Sequence, residues 1–233
     1  GRRARILAEP TGKGFGTMFR LMDEGRKIWL MTDPPNYEPN PEDSLNAQAT
    51  ARGIDPWSYI YDVLLQNNGR SLLYTPFANY AQNNLDCCRD RILHKDTVMG
   101  LGDGGAHVGT ICDASFITSL ITHWGRDRVR GEKIDLPTLI KCQSRDTARA
   151  VDLTDRGTLE PGMKADVNII DFENLSVRLP EIVNDLPASG ARLQQRADGY
   201  LMTIVNGEPT YIEGEETDSL PGRLVRTTGA DSK

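Results

Sequence analysis

In Thr97-Val-Met-Gly-Leu-Gly-Asp-Gly-Gly-Ala-His107 a short apolar run ends in Gly102, an acid, two more glycines and a histidine. The glycines at 102, 104 and 105 remove side chains from both sides of Asp103. The backbone can therefore turn sharply there, and another group can approach the carboxylate closely. A strand presenting one acid at its C-terminal edge is how α/β barrels place catalytic groups. The plainer alternative is a tight turn in which Asp103 only satisfies neighbouring backbone N–H groups. Taken alone the motif favours the turn, and the sequence beyond it favours the site.

The elements that would carry this acid alternate. Arg2–Glu9 reads as helical and Gly12–Gly16 as a glycine-rich loop. Lys27–Thr32 reads as a short strand closed by Asp33-Pro34-Pro35, and Asn36–Asp43 as an irregular surface loop. Helices are predicted over Ser44–Arg52 and Pro56–Asn67. The second has Asp55 as N-cap, Pro56 in its first turn, and Tyr59, Ile60, Val63 and Leu64 on one stripe. Arg70–Phe77 is a predicted strand, Asn83–Leu93 a helix, and Thr97–Leu101 the strand bearing the acid. Asp113 is placed to cap a helix over Ala114–Trp124, with Phe116, Ile117, Leu120, Ile121 and Trp124 facing a sheet. Asp135 opens another helix running to Ala150. Strand and helix alternate with short links, which predicts parallel βα units.

After Val151 the texture changes. Gly157-Thr-Leu-Glu-Pro-Gly-Met-Lys-Ala-Asp166 is turn-rich, and Val167–Asp171 is a short strand. Tyr200–Val205 meets Asn206-Gly207, the strongest two-residue hairpin signal, and returns through Pro209–Ile212. Pro209 cannot donate a ladder hydrogen bond, which predicts an edge strand. Leu220–Arg226 is a candidate further strand. Two regions result, 1–150 and 151–233, the second too small to bury a sandwich core unaided.

Composition excludes several roles. The chain has 233 residues, 38% of them apolar and 26% charged, enough for one large or two small domains. Its formal charge of −6 is dispersed without a Lys/Arg block, which argues against nucleic acid and anionic membrane surfaces as partners. No apolar run reaches membrane-spanning length and no secretory signal opens the chain. Cys87, Cys88, Cys112 and Cys142 show no C-x-x-C spacing and read as reduced thiols of a cytoplasmic protein. The first residue is Gly1 in helical-looking sequence, which reads as a fragment.

Three segments together carry a resemblance. Gly100-Leu-Gly-Asp-Gly-Gly-Ala-His107, Gly157-x-Leu-x-Pro-Gly-x-x-Ala-Asp-Val-x-Ile-Ile-Asp171 and Thr203-Ile-Val-Asn-Gly207 resemble the C-terminal part of the metal-dependent amidohydrolase superfamily. The branch they most resemble contains the D-aminoacylases, the N-acyl-D-amino-acid deacylases. The resemblance implies an α/β fold: the last strands and helices of a (β/α)8 TIM-like barrel, followed by part of a small β-sandwich. Arg70–Phe77 would be barrel strand seven and Thr97–Leu101 strand eight. Family members also carry a His-x-His pair and further single histidines on earlier strands. Here the only histidines are His94, His107 and His123, none in that spacing.

The implied activity is hydrolysis of a small-molecule linear amide, an N-acyl-D-amino acid, to a carboxylate and a free amino acid. One or two divalent ions, zinc in this reading, would lower the pKa of a bound water to about 7. Asp103 would be both metal ligand and proton shuttle, taking the water proton and passing it to the leaving nitrogen. A catalytic zinc wants three protein ligands, and this sequence offers one, so the chain alone is expected to be inactive. His107 and Tyr80 are the candidate substrate contacts. For Tyr80 packing, and for Asn79 loop capping, are the competing roles. Arg126 and Arg128 follow a helix end and read as dipole partners. Cys112 reads as a small buried residue, and Asp166 as a structural turn acid. The complete protein could be a homo-oligomer.

Two other functions remain open on the sequence. One keeps the fold and changes the substrate to a cyclic amide or ureide, as in dihydroorotase-like or hydantoinase-like relatives. The other is a non-catalytic anion-binding module. A phosphate cradle would want a helix directly after the glycines and a Lys-Ser/Thr pair, and Ala106–Cys112 supplies neither.

Overall fold

The structure, a computed structural model, describes residues 1–9, 27–76, 78–100, 102, 108–110, 112 and 114–225. It is a mixed α/β chain that divides into two units, Gly1–Cys88 and Arg89–Lys233. The expected change from helices to strands after Val151 falls inside the second unit.

In the first unit α1 (Arg2–Ala8) is joined to the rest by an exposed Arg3–Asp62 ion pair at 2.8 Å. Strands β1 (Trp29–Leu30) and β2 (Leu73–Tyr74) form a minimal ladder. The pair is antiparallel, with Trp29 opposite Tyr74, where parallel strands were predicted. The links explain the difference. Leu45 N–H donates to the Ile28 carbonyl at 2.8 Å, so the segment after β1 comes back to the point where β1 began. Two helices in contact, α2 (Leu45–Ala51) and α3 (Pro56–Leu64), then intervene in place of the single crossover a parallel pair needs. Ser44 and Asp55 cap them, accepting from Ala47 N and Ser58 N. Ile28, Leu45, Ile60 and Val63 form the core, with Tyr59 and Leu73 against it, while Leu64 of the predicted stripe is exposed. Burial of each aliphatic side chain contributes about 1.5–3 kcal/mol.

Helix α4 (Asp86–Leu93) follows. Thr97–Gly100, predicted as a strand, pairs with nothing in a ladder, and Leu101 lies outside the described residues. Helix α5 starts as Phe116–Ser119 and widens to π-helical geometry over Leu120–Asp127. Helix α6 runs Leu136–Lys141, takes a π-helical stretch over Cys142–Asp146, and closes with Thr147–Ala150. Asp135 caps it as expected, accepting from Thr138 N at 3.0 Å. The predicted cap Asp113 lies outside the described residues.

The strand-rich part holds three sheets. The largest is four-stranded, in the order β10 (Glu215–Glu216), β9 (Glu208–Ile212), β8 (Tyr200–Val205), β3 (Val167–Ile170). Strand β9 is therefore internal, not the edge that Pro209 predicted. Pro209 sits opposite Ile204, where the register shifts, so its missing N–H falls at an irregularity of the ladder. The predicted Asn206-Gly207 turn joins β8 to β9, both residues at positive φ (52° and 86°). Strands β5 (Glu181–Leu186) and β6 (Gly190–Gln194) make a separate hairpin, and β4 (Ser176–Val177) pairs with β7 (Ala197–Asp198). Leu220–Val225 adds no strand. No helix among the described residues is long and apolar enough to cross a membrane.

Candidate functional site

Asp103 and His107, the two motif residues expected at the site, lie outside the described residues. Their flanks are described, and the C-terminal flank is fastened at three points. The Val108 carbonyl accepts Leu193 N–H of β6 at 2.7 Å. Ser115 Oγ donates to Gln195 Oε1, and Thr118 Oγ1 shares a hydrogen bond with the Tyr200 hydroxyl at 2.9 Å. A segment leaving the glycine-rich motif is thus tied to the strands and to the first turn of α5 within one unit. On the N-terminal flank, Thr97 N–H donates to the His94 carbonyl at 3.1 Å just beyond α4.

Tyr80 serves a different end. It is 1% exposed, its ring meets Trp29 edge-on at 5.8 Å, and its hydroxyl donates to the Pro39 carbonyl. Trp29 Nε1 donates to the Asn40 carbonyl at 2.8 Å and the Tyr74 hydroxyl to the Tyr37 carbonyl at 3.1 Å. Three aromatic donors therefore grip Tyr37–Asn40, which was read as an irregular surface loop. Glu38 inside it is 2% exposed, and its carboxylate accepts Leu85 N–H at 2.8 Å. Polarity made the loop look solvated, but the fixed donors from β1 and Tyr80 bring its backbone inside.

Asp166 explains why two of the motif segments belong together. One oxygen accepts Asn206 N–H at 2.8 Å and the other accepts Arg156 Nη1 at 3.0 Å. Beside it Gly207 N–H donates to the Ala165 carbonyl at 2.9 Å. The Pro-Gly-x-x-Ala-Asp segment thus holds the Asn-Gly turn, in agreement with a structural acid. Asp166→Ala is expected to cost about 1–2 kcal/mol, read as a lowered thermal midpoint with secondary structure retained. An unchanged midpoint would show that these bonds do not fasten the turn.

The two arginines after α5 do more than meet a helix dipole. Arg126 donates to the carbonyls of Phe172, Glu173 and Leu175, lies over the Phe172 ring, and pairs with Asp127 at 2.6 Å. The Asp127 hydrogen bond raises its pKa. Arg128 is 1% exposed, stacks on Trp124 at 4.8 Å and donates to the Glu132 carbonyl. Sequence reasoning missed both roles because Arg126's carbonyl partners lie far along the chain and a buried arginine has no local signature. His94 Nδ1 accepts Asp96 N–H, and His123 meets Trp124 edge-on at 5.0 Å. Cys112 is half-buried, and the four cysteines form no disulfides.

The carboxyls whose acidity the fold changes are structural partners. Asp155 beside Arg156, Asp185 beside Arg192 and Asp198 beside Arg178 are all held below the ordinary carboxylate range by those guanidinium hydrogen bonds. Among the described residues, no three His, Cys, Asp or Glu side chains converge to hold a metal ion. The described donor set therefore does not by itself make a metal centre.

The sequence matches the Amidohydrolase family over residues 10–211, and the chain belongs to that family. Two solved structures of D-aminoacylase are similar to it. One is an aspartate-to-alanine mutant in complex with copper chloride; the other concerns the role of that enzyme's binuclear metal centre, with one-metal activation and second-metal attenuation. Each is 20% identical with a TM-score of 0.43, over 82% of this chain and 36% of the D-aminoacylase chain. This chain thus spans little more than a third of those enzymes' length. No curated protein matches it significantly.

Proposed function

We propose that the chain forms the C-terminal part of a metal-dependent amidohydrolase of the D-aminoacylase-like branch, hydrolysing an N-acyl-D-amino acid to a carboxylate and a free amino acid. The observation that carries this reading is the family match over residues 10–211, which spans the Asp103 motif, the Pro-Gly-x-x-Ala-Asp segment and the Asn-Gly turn. In it the region up to residue 150 contributes the last units of a barrel and residues 151–233 part of a sandwich.

Asp103 is the acid–base group. Its carboxylate takes a proton from the attacking water and returns it to the departing nitrogen, so no charged amide anion has to leave. The flanking glycines leave space for the substrate carbonyl beside it. A divalent metal, zinc in this proposal, would count Asp103 among its ligands, and its part is to make that water acidic. His107 contacts the substrate, and Tyr80 contributes through the loop it fixes. The test is release of free amino acid from N-acetyl-D-leucine by the protein containing this chain. Turnover in the presence of a divalent metal is expected, and none would contradict the proposal.

A further inference from the structure

We infer that the second unit carries a small-molecule site between its helices and its four-stranded sheet, for an apolar monoanion with an N–H donor. A cavity of about 520 Å³ lies between α5, α6, the Gly157–Leu159 loop and strands β3 and β8. That volume is within the range of ligand pockets. Ile117 and Ile121 of α5, Ile140 of α6 and Ile170 of β3 form its apolar walls.

Three observations point to a ligand rather than to empty packing space. Gln143, on the wall, has its Oε1 buried without a hydrogen-bond partner. A buried amide acceptor left this way costs about 1–3 kcal/mol, so it needs a donor from whatever fills the cavity. Arg145, also on the wall, is held by Asp146 Oδ1 through Nε at 3.2 Å, and its Nη groups meet no acceptor among the described residues. An anion can take them. Both wall helices, moreover, leave α geometry beside the cavity: Ile121 lies in the π-helical stretch Leu120–Asp127, and Gln143 and Arg145 lie in Cys142–Asp146. Wide helical turns of this kind recur at functional sites because they re-aim consecutive side chains. The loop below approaches so closely that a Cβ on Gly157 would stand 2.9 Å from Arg145 Cα. The three features set the ligand's chemistry: an apolar body between the isoleucines, an N–H for Gln143 and an anionic group for Arg145. The site is defined by its own wall and goes beyond the proposed hydrolase activity.

The probe is 8-anilinonaphthalene-1-sulfonate, which has all three features, followed by fluorescence with this chain. One saturable site per chain is expected. Gln143→Leu and Arg145→Met should each weaken binding about tenfold, the effect of removing one bond of about 1.4 kcal/mol. Ile140→Trp, at a partly exposed position, should fill the cavity and abolish binding with the circular dichroism unchanged. Leu220→Ser, at an exposed apolar residue outside the wall, should bind as the parent does. The sulfonate-free N-phenyl-1-naphthylamine should bind the parent and Arg145→Met equally. Unsaturable binding, or parent-like affinity in both Gln143→Leu and Arg145→Met, would overturn the site. Loss in Gln143→Leu with Arg145→Met unaffected would overturn the anion.

Discussion

Asp103→Asn lowers kcat for N-acyl-D-amino-acid hydrolysis by about 10²–10⁴-fold in the enzyme that contains this chain, the contribution of a positioned acid–base group. The substitution separates the two readings of the glycine-framed acid. Asparagine is as good a turn residue as aspartate and matches it in size, so a purely structural Asp103 predicts parent-like turnover. Asparagine cannot take and return a proton, so a shuttle predicts collapse of kcat with the thermal midpoint intact. The acidic limb of the pH–rate profile, set by protonation of this carboxylate, disappears with it. Full activity in the variant would remove Asp103 from the chemistry.

Gly199→Ala is expected to produce the largest loss of stability, about 2–5 kcal/mol from combined backbone strain and overpacking. Gly199 has φ +93°, and a Cβ there would stand 2.6 Å from Leu175 Cα and 2.8 Å from Leu175 N. Neither is the end of a flexible side chain, so the backbone itself must move. What it would displace is the Asp171–Leu175 turn, held by the 2.8 Å bond from Asp171 N–H to the Gly199 carbonyl and by the carbonyls that Arg126 grips. Denaturant unfolding measures the change. A shift below about 1 kcal/mol would mean that this turn is compliant and that Arg126 does not fix it rigidly.

The parts legible in the sequence were those fixed by neighbours in the chain. Asp55 and Asp135 act as caps, since each side chain needs only an N–H three residues on. The Tyr200–Ile212 hairpin was readable because Asn206-Gly207 carries its own turn geometry. Hairpin β5–β6 was missed: Glu181–Leu186 shows no clean alternation, both strands are largely exposed, and the Asp185–Arg192 ion pair across them leaves no local pattern. Pro209 misled because the sequence does not reveal that Glu215–Glu216 will pair outside it. Strand Thr97–Leu101 was read from an apolar run, but the run has no ladder partner among the described residues. Of the candidate site, Asp166 behaves as its turn-rich context implied, whereas Tyr80 is taken up by Pro39, a contact set by tertiary folding. Asp103 and His107 were visible as a motif, and their chemistry rests on the family to which the chain belongs.

The central claim is that this chain belongs to an enzyme cleaving linear N-acyl-D-amino acids. The most direct measurement compares amino-acid release from N-acetyl-D-leucine, N-acetyl-L-leucine, hydantoin and dihydroorotate, in one assay with divalent metal supplied. The account predicts release from the D-isomer, little from the L-isomer, and no opening of the cyclic substrates. Ring opening without release from N-acetyl-D-leucine would contradict it.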